Sequence, residues 1–382
     1  MYYLNINKTM NLTIINASGQ QVYTSMFGID NSGNWCLYNF SAGTLDECVT
    51  GVTNAMNYMY PMTGDIFIPS VPQLASGIVL FSYNQLPNDF AVVPDAFGKA
   101  TVQSPSFLTG TSDYNTLFNV VEFTYTGTTN NGAPAVWLDI TNVDFFSTPI
   151  ELILSGTNPS GAYLESKGQM KSGRDAVFAE FLAETDGTAF ANLVVTGASG
   201  NIRILGPQHG VAEQIIPLNY WDSYVTAMWK LYATDVLTVD AGVYGIFTGN
   251  TTPGELVMVN VDGSGESFTF QEPGPNLASD IFGCAGTLAA PNNAVGAIAR
   301  AIGAGINRST ILENSSQPDC NVADFYQLTG STNIYSKVLH KFYVDGTTYA
   351  FPFDDVCNGS STLSCTTPEA ATIILSTFDS IC

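Results

Sequence analysis

Residues 117–154, LFNVVEFTYTGTTNNGAPAVWLDITNVDFFSTPIELIL, constrain this chain more than any other stretch. Leu117, Val121, Phe123 and Tyr125 share one parity, while Glu122 and Thr124 share the other. Further on, Val136, Leu138 and Ile140 alternate with Trp137, Asp139 and Thr141. Two alternating runs around an Asn/Gly-rich loop predict a hairpin with one apolar and one polar face. A turn centred on Asn130–Asn131 sets Glu122 opposite Asp139, and cross-strand partners project to the same face. The loop is long, so a register shifted by two would separate the carboxylates without changing their face.

Two carboxylates on one wall of a cleft are the minimum equipment for glycoside hydrolysis. One gives its proton to the leaving oxygen while the other, ionised, activates water or attacks. Like charge and partial burial would push their pKa values apart. Most strand carboxylates are merely solvated, so spacing alone does not decide the matter. Thr124 and Thr141 share the polar face and offer hydroxyls to a sugar. Trp137 shares parity with Asp139, and sugar C–H faces pack on such rings. Tyr125 has the opposite parity and reaches a cleft only through a strand-end twist. Asp144 lies an odd number of residues past Asp139, so a bulge or turn must aim it inward. In FPFDDV, Asp354 and Asp355 read first as turn-forming residues, with Asp355 also a candidate sugar contact. Tyr220, Trp221 and Tyr224 sit in a helical pattern and read as core.

Composition narrows the partners. Lys+Arg number 11 against 33 Asp+Glu, giving a net charge of −22. Such a chain repels phosphate backbones and anionic membranes, which argues against nucleic-acid and lipid-surface partners. A neutral polysaccharide meets no such penalty. No run of 18 apolar residues predicts a membrane span. The first residues show no signal peptide, yet N-x-[S/T] sequons begin at Asn7, Asn11, Asn16, Asn39, Asn250, Asn307, Asn314 and Asn358. With scarce Lys they favour an extracellular protein whose leader is not in this chain. The 7 cysteines lack C-x-x-C spacing and there are 2 His, so neither a zinc site nor another cofactor is expected. Short loops suggest disulfides Cys36–Cys48 and Cys357–Cys365. No G-x-S-x-G elbow supports a serine hydrolase, and the Gly-rich GPGPN, GSGES and GAGIN read as turns.

Along the chain, short strands with turn punctuation fill the first 75 or so residues, as in a sandwich or barrel. GIVLFSY is nearly all apolar, as a central strand would be. Helical patterns follow at 175–184, 220–233 and 292–306, interleaved with strands NLVVTG, IRILG, GVYGIFTG, LVMVNV and SFTFQ. Strands are then expected again in SKVLHKFYV and TYAFPF. The predicted class is mainly β: a sandwich or barrel domain from 1–155 plus 336–382, a mixed α/β lobe from 156–335, and a wide cleft between them.

VEFTY followed by WLDITNVDFFSTPIEL resembles the core of glycoside hydrolase family 64, the thaumatin-like endo-β-1,3-glucanases of the laminaripentaose-producing type. The likeness recurs in SGIVLFSYNQLP, VQSPS and DYNTLF upstream. Downstream it recurs in IFGCAGTLAAP, INRSTIL with QPD, and HKFYVDGTTYAFPFDDV. The resemblance implies a thaumatin-like sandwich and endo-hydrolysis of β-1,3-glucan to short oligosaccharides by a monomer. It further implies inversion, with Glu122 as general acid and Asp139 as general base. It departs at Ile78, where the family usually has Arg. A rival reading is a non-catalytic glucan-binding or surface-coat glycoprotein on the same fold. Inversion needs carboxyls about 6.5–9.5 Å apart, wider than a directly opposed pair suggests, so a register slip or an intervening strand is expected.

Overall fold

The computed structural model describes residues 9–127, 133–198, 200–328 and 330–378. The turn at Asn130–Asn131, Cys382 and the sequon at Asn7 lie outside the described residues.

Alternating apolar residues build two facing sheets. The larger runs Leu363–Cys365, Val136–Asp139, Phe118–Tyr125, Leu74–Tyr83, Val22–Ile29, Trp35–Asn39 and Thr44–Glu47, with Tyr60–Pro61 beside Val22–Ile29. The smaller runs Gly161–Lys167, Ile150–Asn158, Thr367–Leu375, Asn11–Asn16 and Ile66–Ile68. Asn11–Asn16 lies parallel to Thr367–Leu375, and the other pairs of the smaller sheet are antiparallel. Val79, Phe81, Val121, Phe123 and Leu138 of one sheet meet Leu12, Ile14, Leu152 and Ile373 of the other in a buried core.

The opposite face of the large sheet is divided. At one end Ile78, Leu80, Phe118 and Val120 pack beneath the hairpin Ala91–Pro94/Ala100–Gln103 and the helical turn Ala55–Tyr58. Further along, Glu122 and Trp137 are exposed. Gly77 lets the central strands approach there: a Cβ on it would lie 2.6 Å from the Phe123 ring.

The lobe is tied to this face by Phe145–Phe146, which pairs with Gly200–Leu205. A second sheet of the lobe runs Ser267–Gln271, Glu255–Asn260, Ile246–Thr252, Leu237–Asp240 and Ser316–Gln317. Helices Arg174–Glu184, Asp222–Tyr232 and Ala294–Asn307 occupy the expected places and bury Phe181, Met228 and Ile302 among others. Trp221 and Tyr224 are buried in the lobe core, and Tyr220 packs against it.

SKVLHKFYV is a helix, Ile334–Phe342, rather than a strand. Tyr335, Val338 and Leu339 fall on one helical face and enter the lobe core, while the Asn333 side chain accepts from Ser336 N. TYAFPF forms no strand; only Tyr349 bridges to Thr141. Pairing puts Gly161–Lys167 with the sandwich, and packing puts Ile334–Phe342 with the lobe.

Neither expected disulfide forms. Cys36 sits opposite Glu47, and Cys48 N bonds to Trp35 O, so the two thiols belong to opposite faces of one strand pair. Cys365 is a buried residue of the sandwich core, and Cys357 bonds instead to Cys320, 37 residues away. Cys36, Cys48, Cys284 and Cys365 are buried free thiols. The sequon Asn307 is fully buried, its amide bonded to Ile281 O and Gly303 O.

Candidate active site

Glu122 and Asp139 are direct cross-strand partners, with Thr124 opposite Trp137 two residues further along. No strand intervenes and the register does not slip, so the expected separation by either device is absent. Directly opposed residues have Cβ atoms about 4.5–5.5 Å apart. Register is held from both sides, by Leu74–Tyr83 against Phe118–Tyr125 and by Leu363–Cys365 against Val136–Asp139. These side chains line a hollow of about 460 Å³ with Ser76, Gly77, Ile78, Phe123 and Thr362.

Asp139 is the deeper acid. Ser361 Oγ donates to its Oδ1 at 3.1 Å and Thr362 Oγ1 at 3.3 Å. Burial pushes its pKa up to about 7, against the lowering effect of Ser361; the neighbouring charge of Glu122 adds to the rise. Glu122 reaches water, but the walls of the hollow desolvate its carboxyl enough to raise its pKa, and Asp144 raises it further. On its other side Glu122 faces Ile78. An apolar neighbour and an acidic one both disfavour ionisation of Glu122.

The remaining candidates separate cleanly. Thr124 and Trp137 line the hollow, Trp137 with 40% of its surface exposed. Tyr125 is not there: it is buried in the sandwich core, where its hydroxyl accepts from Met10 N. The register against Leu74–Tyr83 shifts between Phe123 and Tyr125, yet Tyr125 keeps the core-facing side that strand parity gives it. Thr141 lies off the lining, bridged to Tyr349. Asp144 lies in a bend after Asn142, one residue before Phe145, which packs on Phe118 of the large sheet. There its Oδ1 lies 2.7 Å from His209 Nε2. Asp355 is exposed and lines a second hollow, about 530 Å³, with Tyr163, Lys167, Asn358 and Ser360; Trp137 and Thr362 line both. Asp354 turns inward, bonded to Arg308, His340 and Ala350 N, and so braces the turn that presents Asp355.

Ser361, Thr362 and His209 were not expected. Ser361 and Thr362 reach Asp139 only because a strand 224 residues further on, beginning at Leu363, pairs with its own. No local pattern signals that. Among the described residues no three His, Cys, Asp or Glu side chains gather as a metal site, and no helix is long and apolar enough to cross a membrane.

The sequence over residues 8–375 matches the glycoside hydrolase family 64 model, described as β-1,3-glucanase. Glucan endo-1,3-beta-glucosidases of Cellulosimicrobium cellulans and Arthrobacter sp. (strain YCWD3) are each 33% identical to it, over 313 and 320 residues, or 81% of this chain. The chain spans about half of these relatives' length, 53% of each. A laminaripentaose-producing β-1,3-glucanase solved with laminaritetraose superposes with a TM-score of 0.83 at 30% identity, covering 97% of this chain and 99% of that one. A β-1,3-glucanase domain from Clostridium beijerinckii shares the fold, with a TM-score of 0.76 at 21% identity, covering 97% of this chain and 98% of that one. By sequence over nearly its whole length, and by fold, the chain belongs to glycoside hydrolase family 64, the β-1,3-glucanases.

Proposed function

We propose that this chain is an endo-acting β-1,3-glucan hydrolase that inverts configuration and releases short oligosaccharides. The observation that carries the hydrolase reading is the direct pairing of Glu122 with Asp139 on the open face of the large sheet, beside an exposed Trp137; inversion rests on the family likeness and requires the two side chains to splay apart from opposed Cβ atoms. Glu122, the more exposed acid, protonates the glycosidic oxygen. Asp139, oriented by Ser361 and Thr362, takes a proton from the attacking water once the proton that burial favours on it has left. The two hollows that meet at Trp137 form one thaumatin-like cleft: Trp137 and Thr124 contact sugar near the acids, and Asp355 further along. The protein acts as a secreted monomer on a neutral polymer.

Incubation with linear β-1,3-glucan, with products resolved by size, tests this. Mid-chain cleavage and accumulation of short oligosaccharides are expected. Binding without cleavage would instead identify a glucan-binding protein. Glu122→Gln should lower turnover roughly 10²–10⁴-fold, the usual contribution of a general acid. Proton NMR of the first product decides the stereochemistry. The α-anomer is expected from inversion, whereas a first-formed β-anomer would make Asp139 a nucleophile.

A further inference from the structure

The segment that carries Ser361 and Thr362 to Asp139 is gripped, a few residues earlier, from the lobe. Arg308, the first residue after helix Ala294–Asn307, is 1% exposed. Its Nη2 donates to Asp354 Oδ1 at 2.9 Å, to Asp354 O at 3.0 Å and to Val356 O at 2.9 Å. Its guanidinium carbon lies 4.7 Å from the centre of the Phe325 ring and 5.6 Å from that of Phe351. The other carboxylate oxygen of Asp354 is met by His340 Nε2 at 2.8 Å and Ala350 N at 3.0 Å. Gly359 closes the turn: its oxygen accepts from Thr348 N at 2.8 Å, and a Cβ on it would fall 2.6 Å from Arg308 Nη2. Two residues on, Ser361 Oγ lies 2.8 Å from Ile140 O and 3.1 Å from Asp139 Oδ1. Thr362 Oγ1 lies 3.3 Å from the same Oδ1. Short contacts and two peptide links therefore join a buried arginine of the lobe to the carboxylate of the general base.

We infer that Arg308, through its grip on Asp354 and Val356, is a positioning residue for the base: it sets where Ser361 and Thr362 stand, and so how Asp139 is held. The inference rests on the glucan-hydrolase reading for its purpose, not for its geometry. Pairing with Val136–Asp139 fixes the far side of the segment, but it begins at Leu363, so both hydroxyls stand outside it. They are placed between that strand on one side and Arg308 on the other. Arginine suits the task because its planar group meets several oxygens in a fixed geometry, whereas a lysine is a flexible point charge. The two hydroxyls also favour the ionised carboxylate that a general base needs, against the burial that opposes it.

The test is Arg308→Lys in the whole chain, which keeps the charge opposite Asp354 and loses the fork. Gly359→Ala, which crowds Arg308 Nη2 and Asp354 O, is the second variant should the first not fold. On linear β-1,3-glucan each should lower kcat roughly tenfold to a hundredfold, as a misplaced catalytic group does. In a Ser361→Ala/Thr362→Val background the same substitution should change kcat by less than about twofold, since what it displaces is already gone. Independently of catalysis, the Asp139 carboxyl is followed by ¹³C NMR in protein labelled at aspartate, its signal assigned by loss in Asp139→Asn. Loosened hydroxyls should move its titration to higher pH in Arg308→Lys, as in Ser361→Ala. The other titratable groups around Asp139 are Glu122, Tyr343 and Tyr349, none of them on the segment that Arg308 holds. An unmoved Asp139 titration in the folded variant overturns the inference. So does a loss of kcat that is undiminished in the Ser361→Ala/Thr362→Val background, which would make Arg308 a prop for stability alone. A wild-type protein that cleaves no glucan, yet shows the NMR shift, would sink the hydrolase reading and leave this one standing.

Discussion

Asp139 carries a charge where the fold disfavours one. Its pKa is raised from 3.8 to about 7, so the native state binds more protons than the unfolded chain between those values. Stability therefore falls as pH rises through that window and is recovered below it. At about 1.4 kcal/mol per tenfold change in proton affinity, the ceiling at neutral pH is roughly 4 kcal/mol. Asp139→Asn should abolish hydrolysis yet raise the denaturation midpoint at pH 7.5, with the gain vanishing near pH 4. Urea unfolding at the two pH values checks this; equal stability of mutant and parent at pH 7.5 would mean that Asp139 ionises without strain. The shared face of Asp139 and Glu122 was legible in the sequence from period-2 alternation, whereas their direct opposition was the simplest register but not the expected one, because inversion argued for a slip or an intervening strand. The Ser361 and Thr362 bonds were not legible, because they cross a gap that no local pattern spans. The reach of Tyr125 was misjudged because the irregularity between Phe123 and Tyr125 does not turn its side chain off the core face.

At the scale of elements, the strand Leu74–Tyr83 matters as much as the hairpin, because it fixes the register of Phe118–Tyr125 from behind. Its Gly77 leaves space for the Phe123 ring, which a Cβ would meet at 2.6 Å. Gly77→Ala should displace Phe123, cost about 1–3 kcal/mol as overpacking does, and depress activity because Ile78 and Glu122 move with their strands. Thermal unfolding beside a kinetic assay checks both; unchanged values would show that the strands yield freely. Helical elements were legible wherever apolar residues recur every three or four positions, as in Val295, Ile298, Ile302 and Ile306. The helix Ile334–Phe342 was misread because Val338, His340 and Phe342 also alternate as a strand would. Its Asn333 cap and the lobe core decide between the two periods. Cysteine pairing misled for a related reason: nearness in sequence favoured Cys36–Cys48, while strand parity sends the two side chains to opposite faces.

At the scale of the whole molecule, one covalent bond joins the lobe to the segment that returns toward the sandwich. Cys320–Cys357 closes a loop with a separation of 37 residues, which by chain entropy alone stabilises by about 4 kcal/mol. Replacing both cysteines by Ser should lower the unfolding temperature by several degrees, and a reducing agent should do the same to the parent but not to the variant. Insensitivity of the parent to reductant would show that the bond is absent in solution.

The strand Thr367–Leu375 lies between Ile150–Asn158 and Asn11–Asn16 in the smaller sheet, and those two do not touch each other in the pairing. Until it arrives, that sheet exists only as two unconnected halves, each with an apolar face and an open edge. During synthesis both halves must wait for residue 375 to clear the ribosome, although the first of them was made hundreds of residues earlier. Closure of the sandwich is thus a late event, dominated by distant contacts and slow by that measure, and the nascent chain depends on whatever shields its edges in the meantime.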